Sequence, residues 1–479
     1  MKAGLPDGFR VRLRDDVRVV DSGRVVVGGA PMRALRFSAE AMKVFCCGIV
    51  EVRDGASQLV ADRLLATDLG VPLLPDGAVS DSSELTVVIP ARDRAGELDR
   101  LLGGLRPELR CLVVDDASTD PSALASVVAR HGAQLVALHE NLGPAGARNA
   151  GLAHVDTPLV AFVDSDVTAD ARVLRRLALH FADPDLGLVA PLVKGQSRPV
   201  DPPWFERYDA VASSLDLGGK PSGVRPGGAV AWVPSACIIA RTMAVAEIGG
   251  FDETMRIGED VDLVWRLVQR GWRARYDPDQ VVEHQARSSL RSWLARKFDY
   301  GTGGAPLAAR HGDLVAPAAF TITYAAAALA VLAQRRWSPA VVAAALAHAT
   351  WVVHRKLPAG CDRGRLAVRL AVEGLGWAVR QESGLMLRHW WPLTAAALPF
   401  SRRLRRAVAV AVVVDTLVSH GRHRREIGLG SYAAGRRLDD LAYGAGLWAG
   451  AVRGRSTRVL LPRMVHRDPP LKGDTRREG

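Results

Sequence analysis

The stretch "TPLVAFVDSDVTAD", residues 157–170, decides how the rest of the chain is read. Its apolar run carries no alternation and stops on Asp164, Ser165 and Asp166. A short continuous apolar run bounded by polar residues marks a strand buried on both faces, as in a parallel sheet. Three similar runs precede it: "LTVVIP" (85–90), "CLVVDD" (111–116) and "QLVALHE" (134–140). Helical patterns lie between them, including "ALASVVARHG" (123–132) and "GPAGARNAGLAHV" (143–155). Strand–helix alternation with right-handed crossovers predicts an α/β fold with a doubly wound sheet over residues 84–285. Ligands of such sheets bind beyond the carboxyl ends of the strands. Pro90-Ala91-Arg92, Asp115-Asp116 and Asp164-Ser165-Asp166 fall there.

On an extended strand, residues two apart point the same way, so Asp164 and Asp166 can converge on one ligand. Adjacent carboxylates repel unless a cation lies between them. Mg2+ or Mn2+ suits that role, because such ions keep few protein ligands and take phosphate oxygens for the rest. For a lone D-x-D the plainer reading, a helix N-cap at Asp166 or Thr168 with Asp164 exposed, would win, because the motif is common by chance. Asp115 and Asp116 can accept hydrogen bonds from a base imide or a ribose hydroxyl, although "DDASTDP" is also good turn chemistry. "NLGPAGARNAG" (141–151) opens a helix whose N-terminus favours anions, with Arg148 in reach of a phosphate. No G-x-G-x-x-G follows the first strand, which argues against a dinucleotide fold.

The series "TVVIPARDR", "LVVDDASTD", "NLGPAGARNAG", "VDSD", "GGFDE" and "GEDVDLVWRLVQRGW" resembles the ordered motifs of family 2 glycosyltransferases. The resemblance implies their GT-A nucleotide-sugar-binding fold. By that resemblance Pro90, Arg92, Asp116 and Arg148 line the nucleotide, while Asp164 and Asp166 hold ribose, metal and diphosphate around Ser165. Inverting sugar transfer needs a leaving diphosphate stabilised on one side and a hydroxyl deprotonated on the other. A second carboxylate cluster is therefore expected, and Glu259-Asp260 at a helix start supplies it. In similar enzymes the Asp of such a pair is the base, so Asp260 is the candidate base and Glu259 positions the acceptor. Asp262 is a weaker contender, and acidic residues at a helix start also simply complement its dipole. His284 resembles the His that completes the metal shell with Asp164 and Asp166. Trp204, Trp232 and Trp265 are candidates for stacking on sugar faces. The Q-x-x-R-W signature of long-chain synthases is only partly resembled by "RLVQRGW", so a short product is expected.

The flanks differ from this centre. Among the 479 residues, those from 285 onward carry 31 Lys and Arg against 12 Asp and Glu; of a total of +12 they hold +19, leaving −7 for the rest. The basic half is also the most apolar, a pattern that fits an anionic membrane surface better than nucleic acid. "LVAPAAFTITYAAAALAVLA" (314–333) is uncharged and long enough to cross a bilayer. Basic clusters at Arg335-Arg336, Arg355-Lys356 and 402–406 flank this and the later apolar runs, and the expected location is the cytoplasmic face of the membrane. The five cysteines, Cys46, Cys47, Cys111, Cys237 and Cys361, lack C-x-x-C spacing, and no signal peptide is visible at the start. Residues 1–80 read as a small winged-helix-like α+β module, with helices expected around 38–50 and 56–70, and residues 286–479 as a helical, basic region. This three-part plan resembles family members that act on a small peptide-derived acceptor. It implies glucose transfer from UDP-glucose, further β-1,4-linked units, and a peptide or maturation-protein partner for residues 1–80. A lipid or cell-wall acceptor, or a non-catalytic peptide-binding adaptor, are the alternatives.

Overall fold

The computed structural model describes residues 4–20, 23–29, 32–198, 200–357 and 363–465; Cys361 lies outside them. The centre is one nine-stranded mixed sheet. Its strands are β1 (Leu85–Ala91), β2 (Arg110–Asp115), β3 (Gln134–Ala137), β4 (Leu159–Val163), β5 (Val167–Thr168), β6 (Leu186–Gln196), β7 (Ser222–Val224), β8 (Cys237–Arg241) and β9 (Arg273–Gln285). The order is β3-β2-β1-β4-β8-β6-β9-β5, with β7 also on β9. The four strands read from sequence are mutually parallel, in register Ala161 to Val87 and Val87 to Cys111. Beyond them the parallel pairing does not continue. β8 runs antiparallel to both β4 and β6, which makes the sheet mixed.

Both faces are covered. Leu98, Leu101, Leu102 and Leu105 from helix Ala95–Leu105, with Leu174 and Leu177, pack on one face against Val87, Ile89 and Val113. The helices Gly143–Leu152 and Glu259–Gln269 pack on the other, against Val88, Val114 and Phe162. Gly151 is needed there, because a Cβ would stand 2.4 Å from Val88 Cγ1.

The N-terminal module is α+β, but its strands form two small sheets, of four and three strands. The helix expected over 38–50 is only Ala39–Lys43; Phe45–Cys46 and Ile49–Glu51 instead form a hairpin. Cys47 and Gly48, both at positive φ, make its turn, the backbone a two-residue hairpin requires. The second helix, Gly55–Ala66, is started by a capping box at Asp54 and Ser57. The module is tied to the sheet: Arg14 and Asp68 form a buried ion pair at 2.8 Å, and Asp68 accepts from Ser222 Oγ and Gly223 N of β7.

The C-terminal region is helical. The run 314–333 does not form one span: Ala319–Phe320 is a short strand, and the helix begins at Ile322 and ends at Ala333. Among the described residues no helix is long and apolar enough to cross a membrane, although the length of 314–333 alone would allow a span. The long helix Leu429–Arg453 lies against helix Leu290–Thr302. Their backbones touch because "GAGLWAG" is a run of contact glycines: a Cβ on Gly446 would meet Phe298 O at 1.9 Å. Cys47, Cys111 and Cys237 are free thiols.

Candidate active site

Asp164, Ser165 and Asp166 lie in the tight turn that joins β4 to β5 rather than on the extended strand. The turn is closed by Val167 N donating to Asp164 O, and Asp164 N donates to Ala236 O. Asp164 and Asp166 still face one cavity of about 600 Å³, which Arg148, Glu259, Asp260 and His284 also line. Six of the residues singled out in sequence are thereby gathered at one place, although they span 137 positions of chain between Arg148 and His284 counted inclusively. Ser165 is buried behind the turn.

The repulsion among these carboxylates is relieved by arginines. Arg148, 2% exposed, donates to Asp164 Oδ1 at 2.6 Å and to Glu259 Oε1 at 3.1 Å, and its guanidinium lies 5.3 Å from the Phe251 ring centre. It therefore locks the turn after β4 to the start of helix Glu259–Gln269, rather than lying on a solvated helix face. Arg94 donates to Asp166 Oδ2, and His284 Nε2 lies 3.4 Å from the same oxygen. Burial opposes ionisation of Asp166, but the hydrogen bond and charge of His284, together with Arg94, hold it well below the usual carboxylate range. Arg92, which the resemblance places at the nucleotide, is half-exposed beside Asp93 at 3.8 Å. The strand ends at Ala91, and Asp93 takes φ +55°, so the alternation stops there and the chain turns before Arg94. An Asp at the αL position of a turn is the signal that was available.

Arg287 and Arg296 add positive charge near Asp166. Burial lowers the Arg287 pKa, and the neighbouring Arg296 cation lowers it further. Crowded, partly desolvated cations form a site complementary to a polyanion. Neither arginine stood out in sequence, because both follow the last recognisable motif.

On the opposite wall, Asp260 accepts from Val261 N at 2.8 Å and more loosely from Ser235 N at 3.4 Å. Burial, then the adjacent Glu259 charge, push its carboxyl up to about 7. A carboxylate poised near neutrality in a cavity is suited to accept a proton. Asp262 has no such freedom: it is fully buried and held by Arg266, Arg310 and His311. Trp232 and Trp265 both line the cavity, Trp265 otherwise being buried with its indole N–H on Ala231 O, and Trp204 packs beside Phe205.

The remaining candidates stand at the strand ends outside this cavity lining. Asp116 accepts from Leu142 N at 2.7 Å and Gly143 N at 3.0 Å, which anchors the start of helix Gly143–Leu152. Asp115 accepts from Ser118 N, the turn chemistry weighed above. Pro90 sits at the end of β1, paired with Val114. Among the described residues, no three acidic, His or Cys side chains are grouped so as to hold a metal ion. Asp166 and His284 are a ligand pair of suitable chemistry for Mn2+ or Mg2+, to which diphosphate oxygens would supply the remainder.

Residues 86–223 match Glycosyl transferase family 2, and residues 159–402 match Glycosyl transferase family group 2. The chain is 42% identical over 476 residues to the pre-mycofactocin glycosyltransferase of Mycobacterium tuberculosis, covering 96% of this chain and 98% of that one. It is also 30% identical over 245 residues to an N-acetylglucosaminyl-diphospho-decaprenol L-rhamnosyltransferase of the same species, covering 43% of this chain and 78% of that one. A mannosyltransferase from Pyrobaculum calidifontis is similar at 19% identity and a TM-score of 0.37, over 74% of this chain and 91% of that one. The gathered carboxylates, the sheet that presents them and the whole-length similarity agree: this chain is a glycosyltransferase and belongs to glycosyl transferase family 2.

Proposed function

We propose that the protein transfers glucose, with inversion, from UDP-glucose to pre-mycofactocin, and extends the product by a few β-1,4-linked units. The observation that carries this reading is the 42% identity to the pre-mycofactocin enzyme across both chains nearly end to end. The site chemistry is compatible with it. Asp166 and His284, with Asp164 beside them, would hold a divalent ion, which when bound neutralises the leaving diphosphate. Arg287 and Arg296 add charge on the same side. Pro90, Arg92, Asp115 and Asp116 remain the candidates for the nucleoside, at the carboxyl ends of β1 and β2. Arg148 fixes the distance between the donor-side turn and the acceptor-side helix by holding Asp164 and Glu259 together. Asp260 accepts the proton of the acceptor hydroxyl as that oxygen attacks the sugar on the face opposite the diphosphate.

Exposed aromatic and basic side chains of the C-terminal region support work at a membrane surface on its cytoplasmic side. Trp337, Trp351, Trp377 and Phe400 are all more than half exposed there. Arg335, Arg336, Arg355 and Arg402 are exposed around them. Amphipathic surfaces of this kind bind anionic lipid through buried aromatics and flanking cations. The deciding experiment incubates the protein with Mn2+, UDP-glucose and pre-mycofactocin and identifies the product by mass spectrometry. Hexose addition supports the reading; transfer only to a lipid acceptor rejects it.

A further inference from the structure

The cavity that contains Asp260 is not closed by the sheet domain alone. Its far wall comes from the C-terminal region: Tyr300, Leu307, Leu314, Leu447 and Val459 line it, together with Arg388, His389 and Tyr443. Two of these side chains come from a π-helical turn, Leu385–His389. Single π-turns are rare and concentrate at functional sites, because they widen the backbone to redirect side chains. This one is firmly held. Trp448 Nε1 donates to His389 O at 2.8 Å, and Trp390 Nε1 donates to Leu460 O at 2.6 Å. Gly444 lets helix Leu429–Arg453 press on the turn, since a Cβ there would lie 2.0 Å from Arg388 O.

The chemistry of this wall is specific. Arg388 is stacked 4.1 Å from the Tyr443 ring centre and paired with Asp439 and Asp440, so its charge is neutralised within the protein. Its Nε is buried without a hydrogen-bond partner. His389 Nδ1 lies 3.3 Å from Gly384 O and donates to it, which leaves Nε2 as the acceptor side of the ring. Burial, then the Arg388 charge, lower this imidazole to about 4, so it is neutral at working pH. The rest of the wall is aliphatic or aromatic. A neutral ring acceptor, an unpaired N–H and an apolar lining do not suit a second diphosphate, because the cation present is already matched by two aspartates.

We propose that this wall is the acceptor subsite, and that it takes a compact, uncharged molecule with an apolar or aromatic body. The body packs on Leu314, Leu447 and Val459, and a polar group of the molecule meets His389 and Arg388. Its hydroxyl is then presented to Asp260. The inference rests on the glycosyltransferase reading of the same cavity and adds to it the class of acceptor and the residues that select it.

The test uses the full chain with two variants. His389→Phe removes the polar contact. Leu314→Trp narrows the cavity at a position that is already 36% exposed, where the fold tolerates the larger ring. Initial rates of nucleotide release are measured with UDP-glucose against increasing p-nitrophenyl β-glucoside, a neutral aryl acceptor, and against pre-mycofactocin. UDP affinity is measured by calorimetry in the same samples. The expected result is an acceptor KM raised about tenfold in each variant, the scale of one lost contact, with UDP affinity unchanged. An unchanged KM in both variants overturns the subsite. So does a parallel loss of UDP affinity, which would make the wall part of the donor site. Failure of the wild-type protein to use any nucleotide sugar instead defeats the glycosyltransferase reading itself, and the two failures are therefore distinct.

Discussion

Replacing Asp260 by Asn separates chemistry from binding and from stability in one variant. The amide keeps an oxygen in place to accept from Val261 N, so the start of the helix is preserved. The carboxyl it replaces has been moved by burial and by Glu259 from an ordinary 3.8 to about 7. At about 1.4 kcal/mol for each tenfold, keeping that group ionised in the fold costs up to about 4 kcal/mol. The sign follows from linkage: the folded value lies above the unfolded one, so the native state prefers the protonated form. The penalty is absent below 3.8, grows as pH rises, and is complete once pH exceeds about 7. Asp260→Asn removes it, so the variant melts above the wild type by a margin that widens across that window. On the proposed mechanism the same variant lacks its general base, and transfer should slow by roughly a hundredfold to ten-thousandfold. Calorimetric melting as a function of pH, UDP affinity and single-turnover transfer are the three assays. The wild-type rate should rise with pH through about 7, and the variant should lack that limb. Near-normal turnover would refute the base assignment. A stability margin that stays constant with pH would refute the electrostatic origin of the displaced carboxyl.

Other perturbations probe the remaining parts. Asp166→Ala should abolish the metal dependence of UDP binding, read by calorimetry with and without Mn2+, because it removes the carboxylate shared by His284 and Arg94. Asp68→Ala leaves Arg14 only its bidentate pair with Asp16 and removes the acceptor of Ser222 Oγ and Gly223 N, so it should destabilise the protein by about 1–3 kcal/mol in urea unfolding. Gly446→Ala should destabilise by about 1–3 kcal/mol, since its methyl would collide with Phe298 O. Vesicles rich in anionic lipid should sediment the wild-type protein at low salt, and replacement of Arg402, Arg403, Arg405 and Arg406 by Gln should weaken this. Equal sedimentation of the variant would leave the basic cluster without a role at a membrane.

The parallel half of the sheet was legible because three of its four strands, β1, β2 and β4, are buried on both faces and so read as unbroken apolar runs, while the edge strand β3 is only partly covered. β8 was not read, although "CIIAR" is equally apolar, since a run of this kind carries no sign of its direction. The donor-side and acceptor-side carboxylates were legible as motifs, and the structure brings Asp164, Asp166, Glu259, Asp260 and His284 to one cavity. Their counter-charges were not. A sequence shows that arginines are present but not which carboxylate each one meets. Arg148, a candidate for the nucleotide, is bridged to Asp164 and Glu259, and Arg94, which no motif singles out, is the cation on Asp166. The apolar stretch 314–333 has the length and lack of charge to cross a bilayer, which leaves open whether it does. Its residues are spent on a turn, a short strand and a helix of 12 residues. The far wall of the cavity was illegible for a different reason: a π-turn and glycine contacts have no pattern that can be separated from ordinary helix until the partner helix is known.

The proposed transfer needs one cavity in which Asp166 and His284 would neutralise a diphosphate and Asp260 would activate a hydroxyl. Mass spectrometry of the acceptor after incubation with Mn2+ and UDP-glucose tests it most directly, with wild-type, Asp166→Ala and Asp260→Asn proteins side by side. The account predicts hexose on pre-mycofactocin with the wild type alone, while Asp260→Asn still binds UDP. Hexose addition by either variant at the wild-type rate would contradict it.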